Sequence, residues 1–372
     1  MKNGFLLTIY LLMILFCGCK SNEEEVRIGV ILPLTGVSAE LGVPMLEAMQ
    51  IAEHNINDSI IKSGGKKMKL LVEDGKSTAN GAIAAFQKLR YENPSAFIIF
   101  GDIPCSNLAA SVSKYDYPVI ALAAAAENIP TLSDRYFRAW TTTSSASSEL
   151  VIFAKKNLGK NNCAILSVDN NYGNEFAQSL KQKIIDIGGR VLISETYDLS
   201  TQNIKMQIQK VIAKKPEVIF VIGFGNGYLA AFNQLRSMSY NGPLLTDETI
   251  TIPEYYKAVA NALDSTYFSS TMFDPIDTKA NSYKKFVLPF KEKLGVNPNA
   301  HSVFGYASVS ILADAIRRYG TEPKEVEKGL VELRNFESII GKLTYLPNRE
   351  LNIPIVIRQI HPDGTFTLMR ND

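Results

Sequence analysis

Short segments that contain continuous apolar runs alternate with helical segments along most of the chain. A strand of this kind is buried on both faces, as in a parallel sheet covered by helices on both sides. The alternation therefore predicts an α/β fold with parallel sheets. The apolar segments of the first unit lie at 26–34, 67–74, 96–102 and 117–123.

The alternation restarts after the strand-like segment 136–140, which predicts a second α/β unit. Three helical segments then follow near 281–294, 299–319 and 323–334, and the chain ends in a β pair with an Asp363-Gly364 turn. Helices left over after the second unit indicate that the chain crosses between two lobes more than once. A ligand would then bind in the cleft where the carboxyl ends of both sheets converge.

The N-terminus has the pattern of an export signal. The apolar run 5–16 follows Lys2 and is too short to cross ~30 Å of hydrocarbon. Two interpretations are open: a soluble signal cut at a small residue, or a bacterial lipoprotein precursor cut before Cys19. The segment 16–19 (FCGC) favours the second, although phenylalanine stands where leucine is usual. We expect residues 1–19 to be a signal peptide, Cys19 to carry lipid, and 20–25 to be a polar tether.

The length, charge and cysteine content of the chain limit the number of domains and the kinds of partner that we expect. A chain of 372 residues favours two domains, and 39 basic against 37 acidic residues give a net charge of +2. No basic block is present, so we expect neither nucleic-acid binding nor a membrane-surface patch. Beyond the signal region, Cys105 and Cys163 are far apart in sequence. A single bridge between them stays open, but we expect two buried or half-buried thiols.

The catalytic and metal-binding patterns in the sequence are incomplete. His54, His301 and His361 lie in two helical segments and a terminal hairpin without metal-ligand spacing. We expect them to be surface or capping histidines, and we expect no metal site. The segment 75–78 (GKST) resembles the end of a phosphate-binding loop, but Leu70 occupies the leading glycine position. Neither a Gly-x-Ser-x-Gly elbow nor a Cys-x-x-Cys pair occurs.

The segment 218–248 mimics a dinucleotide-binding fingerprint. A strand leads into Gly223, Gly225 and Gly227, and a later strand ends in two acidic residues. Tyr228 stands where the third glycine of the fingerprint belongs, and no hydride-handling group accompanies it. We interpret the segment as a tight strand-to-helix turn, and we expect no cofactor and no enzymatic activity.

Candidate binding residues cluster at the predicted carboxyl ends of the strands. Several clusters precede helices, so we expect free backbone N–H groups to point into the cleft and to hold an anionic group. Ser106 is either a helix N-terminal cap or a hydroxyl donor to the ligand. The clusters lie at 35–36, 73–74, 102–106, 121–126, 169–172, 224–226 and 247–248.

Four segments carry a family resemblance. The sequences at 27–57 (RIGVILPLTGVSAELG…), 70–89, 167–191 (SVDNNYGNEF…) and 216–236 together resemble the leucine/isoleucine/valine-type periplasmic binding proteins. These are the substrate-capture subunits of branched-chain amino-acid ABC importers. The resemblance implies a type I periplasmic-binding fold, in which two doubly wound Rossmann-like lobes are joined by three crossover segments and close like a hinge.

The resemblance also implies domain bounds. The crossings fall near 140, 272 and 342. The N-terminal lobe then comprises 26–140 and 272–341, and the C-terminal lobe comprises 141–271 and 342–372.

The resemblance implies a set of ligand-binding positions, several of which have changed. The segments that grip the ligand's carboxylate in the family align with Cys105-Ser106 and with Ala123-x-Ala125, so a threonine hydroxyl is missing. A family tyrosine aligns with Gly225, and an aromatic wall aligns with Leu41. Tyr172 remains, as does Glu248, which holds the ligand's ammonium in the family. A family disulfide lacks its partner because Ser77 stands there.

These changes suggest a retained scaffold with an altered pocket. We expect a small polar ligand with an amine or hydroxyl at Glu248 and an apolar part against Leu41 and Phe273. Two missing hydrogen-bonding groups, at ~1–3 kcal/mol each, suffice to change the ligand class. The expected function is a monomeric, lipid-anchored binding protein in the periplasm or at the cell surface that delivers an amino acid or analogue to an ABC permease. The alternative is a sensor subunit of the same fold.

Overall fold

The computed structural model describes residues 25–63, 65–126, 128–273 and 281–369. Cys19, the signal peptide and all of the predicted tether except Glu25 lie outside these residues. The described chain forms two α/β lobes, each with its own sheet, and the predicted fold class is confirmed.

The first lobe contains a five-stranded parallel sheet of order β2-β1-β3-β4-β5. Neighbouring residues of its strands pack on opposite faces: Ile98 lies in one core, while Phe97 and Ile99 lie in the core on the other side. This two-sided burial explains why β3 is apolar at every position. The strands are Val26–Leu32 (β1), Met68–Asp74 (β2), Ala96–Phe100 (β3), Val119–Leu122 (β4) and Tyr136–Ala139 (β5). The helices between them are Ala39–Ser63 (α1), Ala79–Leu89 (α2), Asp102–Tyr115 (α3) and Ile129–Leu132 (α4).

The second lobe contains a seven-stranded sheet whose first five strands are parallel. These are Asn162–Val168 (β6), Arg190–Tyr197 (β7), Val218–Ile222 (β8), Leu244–Thr246 (β9) and Thr266–Thr271 (β10). The helices are Thr143–Lys156 (α5), Asn171–Asp186 (α6), Lys205–Ala213 (α7), Gly225–Ser237 (α8) and Pro253–Ala258 (α9). Phe220 and Val221 again face opposite cores.

The chain after the second sheet returns to the first lobe. Phe273 and Phe286 pack together in the first lobe's core, with ring centroids 6.0 Å apart. The three predicted helical segments contain helices Leu288–Leu294 (α10), Ala300–Tyr319 (α11) and Pro323–Val331 (α12). Residues of α11 and α12 complete the core beneath the first sheet.

The last crossing differs from the predicted position near 342. Strands Phe336–Ser338 (β11), Gly341–Tyr345 (β12) and Leu351–Asn352 (β13) form a small antiparallel sheet. Leu343, Tyr345 and Leu351 pack in the first lobe's core, and Tyr345 lies edge-on to Phe137. The first strand after this small sheet to join the second sheet is Ile355–Ile360 (β14), which pairs antiparallel with β10. Strand Phe366–Met369 (β15) then pairs antiparallel with β14. The chain therefore crosses between β13 and β14.

Gly173 lies where α6 approaches the end of β6 most closely. A Cβ atom on Gly173 would stand 2.0 Å from the carbonyl oxygen of Val168, which is backbone and cannot rotate away. We expect Gly173→Ala to displace the start of α6 and to lower the free energy of unfolding by ~1–3 kcal/mol. Urea unfolding checks this, with the exposed neighbour Asn174→Ala as the control, for which a change within ~0.5 kcal/mol is expected. Equal stability of the two variants would contradict this close contact.

Candidate functional site

A cavity of about 520 Å³ lies between the two lobes, at the carboxyl ends of both sheets. The first lobe contributes Leu41, Phe100 and Trp140 to its walls, and the second contributes Tyr172, Phe224 and Ile252. A volume of this size suits a small organic molecule. The cleft that the sequence predicts between the lobes is therefore present.

Five of the predicted site residues line this cavity: Leu41, Ala123, Ala125, Tyr172 and Glu248. They come from both lobes and from four separate chain segments. Their convergence follows from the topology, because the ends of parallel strands meet at one edge of each sheet.

The other four predicted residues lie outside the cavity lining. Cys105 lies on the buried side of α3, and its thiol contacts the carbonyl oxygen of Ile99 at 3.7 Å. Ser106 is exposed in the second turn of α3; because this helix begins at Asp102, Ser106 is neither its cap nor part of the cavity wall. Phe273 packs into the first lobe's core.

Gly225, the fourth, begins α8, and its N–H donates to the Tyr255 hydroxyl at 3.0 Å. Burial raises the pKa of both free thiols, Cys105 and Cys163.

The helix starts around the cleft offer fewer free N–H groups than the sequence suggested. At five of these starts a side chain accepts a hydrogen bond from one N–H group of the first turn, so that donor is not available to a ligand. The starts of α1 and α3 instead carry the acidic residues Glu40 and Asp102 in their first turns, and no side chain caps α3. The accepting side chains are Thr142, Asn170, Asp247, Asn299 and, for Gly225, Tyr255.

Asp247 and Glu248 are adjacent carboxyl groups with different surroundings. Asp247 accepts hydrogen bonds from the Tyr172 hydroxyl (3.0 Å) and from the N–H groups of Gly223 (3.3 Å) and Thr249 (2.8 Å). Burial raises its pKa, and these donors oppose that rise. Asp247 therefore acts within the protein, holding the Tyr172 ring in the cavity wall.

Glu248 is the group left open to a ligand. Its side chain is 92 % buried, and its Oε2 atom has no hydrogen-bond partner among the described residues. Burial and the neighbouring charge of Asp247 raise its pKa to about 8. A buried acceptor without a partner is costly, and a ligand donor would satisfy it.

Asp102 occupies the loop that the sequence assigns to a ligand's carboxylate. Its Oδ1 atom accepts a hydrogen bond from the N–H of Ala126 at 2.9 Å. Burial raises the pKa of Asp102, while the Ala126 and Ala125 N–H groups and the charge of Arg138 oppose the rise. In the same loop Ala123 has φ 50°, a left-handed conformation that is unusual for alanine and sits at the cavity wall.

A hydrogen bond between the lobes crosses one side of the cleft. The Tyr255 hydroxyl in the second lobe donates to Oε1 of Glu40 in the first lobe at 3.0 Å. Sequence reasoning missed Tyr255, because it lies in the short helix α9, well after the strand end at Thr246. Its hydroxyl reaches Gly225, where the resemblance implies that a tyrosine has been lost.

His301 is a cleft residue and not the surface or capping histidine that the sequence suggested. Only 8 % of it is exposed, and its ring lies 4.8 Å from the Trp140 ring at the cavity wall. Burial lowers its pKa to about 4, so the imidazole is neutral near pH 7. Its helix position gave no sign of this, since the partner Trp140 is far away in sequence.

The buried imidazole should make the protein sensitive to acid. In the folded chain His301 stays neutral down to about pH 4, whereas in the unfolded chain it is protonated below about pH 6.5. The contribution of neutral His301 to folding stability is therefore complete above pH 6.5 and is lost as the pH falls. We expect His301→Phe, which keeps a ring on Trp140, to recover up to ~3 kcal/mol at pH 4 relative to the wild type. Urea unfolding at pH 4 to 7 measures this, with the exposed His54→Gln as control. Parallel pH profiles for wild type and His301→Phe would contradict it.

Within the described ranges, no group of three or more metal-ligating side chains occurs, and no helix is both long and apolar enough to span a bilayer.

Comparisons of the sequence and of the structure with known proteins both relate this chain to solute-binding proteins. A family model for periplasmic binding proteins matches residues 25–365. Leu/Ile/Val-binding protein homolog 1 of Brucella abortus is 20 % identical over 338 residues, covering 90 % of each chain. The crystal structure of the leucine binding protein LivK from Thermotoga maritima superposes with a TM-score of 0.81 at 21 % identity, covering 93 % of this chain and 98 % of that one.

A solute binding protein of an ABC transporter from Rhodopseudomonas palustris, solved with 3,4-dihydroxybenzoic acid, has a TM-score of 0.79 at 20 % identity over 91 % of this chain and 93 % of that one. These likenesses establish a shared fold, and the family match covers nearly the whole described chain. The chain therefore belongs to the periplasmic binding protein family.

Proposed function

We propose that this protein is the extracytoplasmic solute-binding component of an ABC importer and closes its two lobes around a small polar solute. The observation that carries the proposal is the 520 Å³ cavity, lined by both lobes, with the unpartnered Glu248 carboxyl at its wall. The relatives support the transport role, because one binds leucine by name and another is named as part of an ABC transporter.

Lobe closure is tested with the solute that the protein itself retains. Mass spectrometry of the material that co-purifies identifies that solute. Small-angle scattering is then recorded after its removal by unfolding and refolding, and again after adding it back. We expect the radius of gyration to fall on addition, because the lobes move together about the three crossings. A particle equally compact with and without the retained solute, or the absence of any retained or rebound solute, would refute the proposal.

We further propose that Cys19 carries the lipid that anchors the protein. The sequence up to this residue has the length and pattern of an export signal. A Cys19→Ala variant should remain in the soluble fraction and take up no radiolabelled fatty acid, whereas Cys17→Ala, two residues earlier, should behave like the wild type. Fatty-acid labelling of Cys19→Ala would disprove the assignment.

A further inference from the structure

Four carboxyl groups line the cavity, and no cation from the described residues does. They are Glu40 and Asp102 from the first lobe and Asp247 and Glu248 from the second, while none of the lining side chains is a lysine or an arginine. In a water-poor cleft such an arrangement repels an anion and attracts a cation, since the local dielectric is low. Charge alone does not define a site, so the decisive feature is which of these groups still lacks a partner.

Glu248 supplies that second observation. Asp247 is saturated by three donors, and Glu40 accepts from Tyr255. Glu248, by contrast, is 92 % buried in the cavity wall with Oε2 unbonded. A hydrogen-bond donor on the ligand would supply the partner that Oε2 lacks. A cation beside Glu248 also favours the ionised carboxylate over the neutral acid that burial favours in the empty site.

Several of the donors that a ligand's carboxylate would use are already bonded within the protein. Asp102 takes the Ala126 N–H in the loop that carries Ala123 and Ala125. At four further helix starts around the cleft, a side chain of the protein accepts one N–H of the first turn. A ligand carboxylate in the loop of Ala123 and Ala125 would thus lie near the charge of Asp102 and would find the Ala126 N–H already bonded.

We propose that the cleft takes a cationic amine with an apolar body and no carboxylate, because Asp102 supplies from within the protein the carboxylate that an amino acid would bring. The inference rests on the proposed solute-binding function and narrows its ligand class. The ammonium binds Glu248. The apolar body packs against Leu41, Trp140, Tyr172 and Phe224. The three aromatic rings among these residues also favour a nearby cation.

Three probes with one isobutyl group separate the charges. Isoamylamine carries only the ammonium, 4-methylpentanoate only the carboxylate, and L-leucine both. Isothermal titration calorimetry of the purified protein should give a Kd for isoamylamine at least ~10-fold below that for leucine, and no saturable binding of 4-methylpentanoate. Leucine binding as tightly as the amine, or no binding of the amine, would overturn the inference.

Variants at Asp102 test the internal carboxylate. Asp102→Ala removes the charge and frees the Ala126 N–H, so the preference should shift toward leucine by ~10-fold or more. Asp102→Asn removes the charge alone and keeps an acceptor for the N–H, so its shift should be smaller. Asp169→Ala, an exposed carboxyl outside the cavity lining, is the matched control and should keep the wild-type ratio. An unchanged ratio in folded Asp102→Ala and Asp102→Asn would overturn the role of Asp102.

The two proposals fail in different ways. If leucine binds and compacts the particle while isoamylamine does neither, the protein is a solute-binding protein and the amine inference is wrong. If the retained solute itself causes no compaction, the solute-binding function is wrong irrespective of the probes.

Discussion

Replacing Glu248 by glutamine is expected to stabilise the ligand-free protein at pH 8 and above and to abolish solute binding. The folded chain keeps this carboxyl protonated up to about pH 8, whereas the unfolded chain ionises from 4.5. Ionisation therefore favours the unfolded state progressively between pH 4.5 and 8, and the full penalty persists at higher pH. Glutamine does not ionise, so the variant should gain roughly 3–5 kcal/mol, or ~5 °C in Tm, at pH 8.

The same substitution removes the negative charge that the unpartnered Glu248 carboxyl can offer to a ligand. Loss of a desolvated charge partner is expected to weaken binding of the retained solute by at least ~30-fold at pH 8. Differential scanning calorimetry at pH 5 and pH 8 measures the stability change, which should be near zero at the lower pH. Asp247→Asn is the contrasting control, because it perturbs an acceptor with three donors and should destabilise the protein. Equal Tm values for Glu248→Gln and wild type at pH 8 would contradict the raised pKa.

Arg138→Met is expected to cause a large loss of stability. Arg138 is fully buried on β5, where its Nε lies 3.0 Å from Oε2 of Glu350 and its Nη1 donates to the carbonyl of Ala124 at 3.1 Å. Methionine fills similar space but leaves the Glu350 charge in a mostly buried site. Breaking one side of a buried ion pair costs ~3–5 kcal/mol, which corresponds to a fall of ~5 °C in Tm for a chain of this length.

The double variant Arg138→Met/Glu350→Leu separates charge from packing. Because it leaves no unpaired charge at position 350, it should recover most of the loss, as measured by a double-mutant cycle in urea. Arg27→Met is the surface control: its ion pair with Glu92 is largely exposed, and its loss should change stability by less than ~1 kcal/mol. A cycle without coupling between Arg138 and Glu350 would show that the pair contributes nothing beyond its separate side chains.

The architecture follows from the sequence because the buried strands can be recognised from their continuous apolar residues. Ile98 and its neighbours are apolar in succession, which only a sheet covered on both faces requires. The position of the third crossing does not follow. The strand at Gly341 and the strand at Ile355 are both short and partly apolar, and nothing local specifies which sheet each one joins.

The site was predictable to the extent that it depends on strand ends. Tyr172 and Glu248 lie directly after or near such ends, and both reach the cavity. Ser106 was misplaced because helix α3 begins four residues earlier, at Asp102, which turns that side chain to solvent. The roles of His301 and Tyr255 depend on contacts between distant segments, with Trp140 and Glu40, which no local pattern encodes.

The late return of the chain to the second sheet has a consequence for the order of folding during export. The first lobe's core is incomplete until Leu351 has emerged, and the second sheet still lacks β14 at that moment. Both halves must therefore mature almost together, after nearly the whole polypeptide has been translocated, instead of one after the other. For the same reason, a single recombination point cannot exchange one intact lobe between relatives.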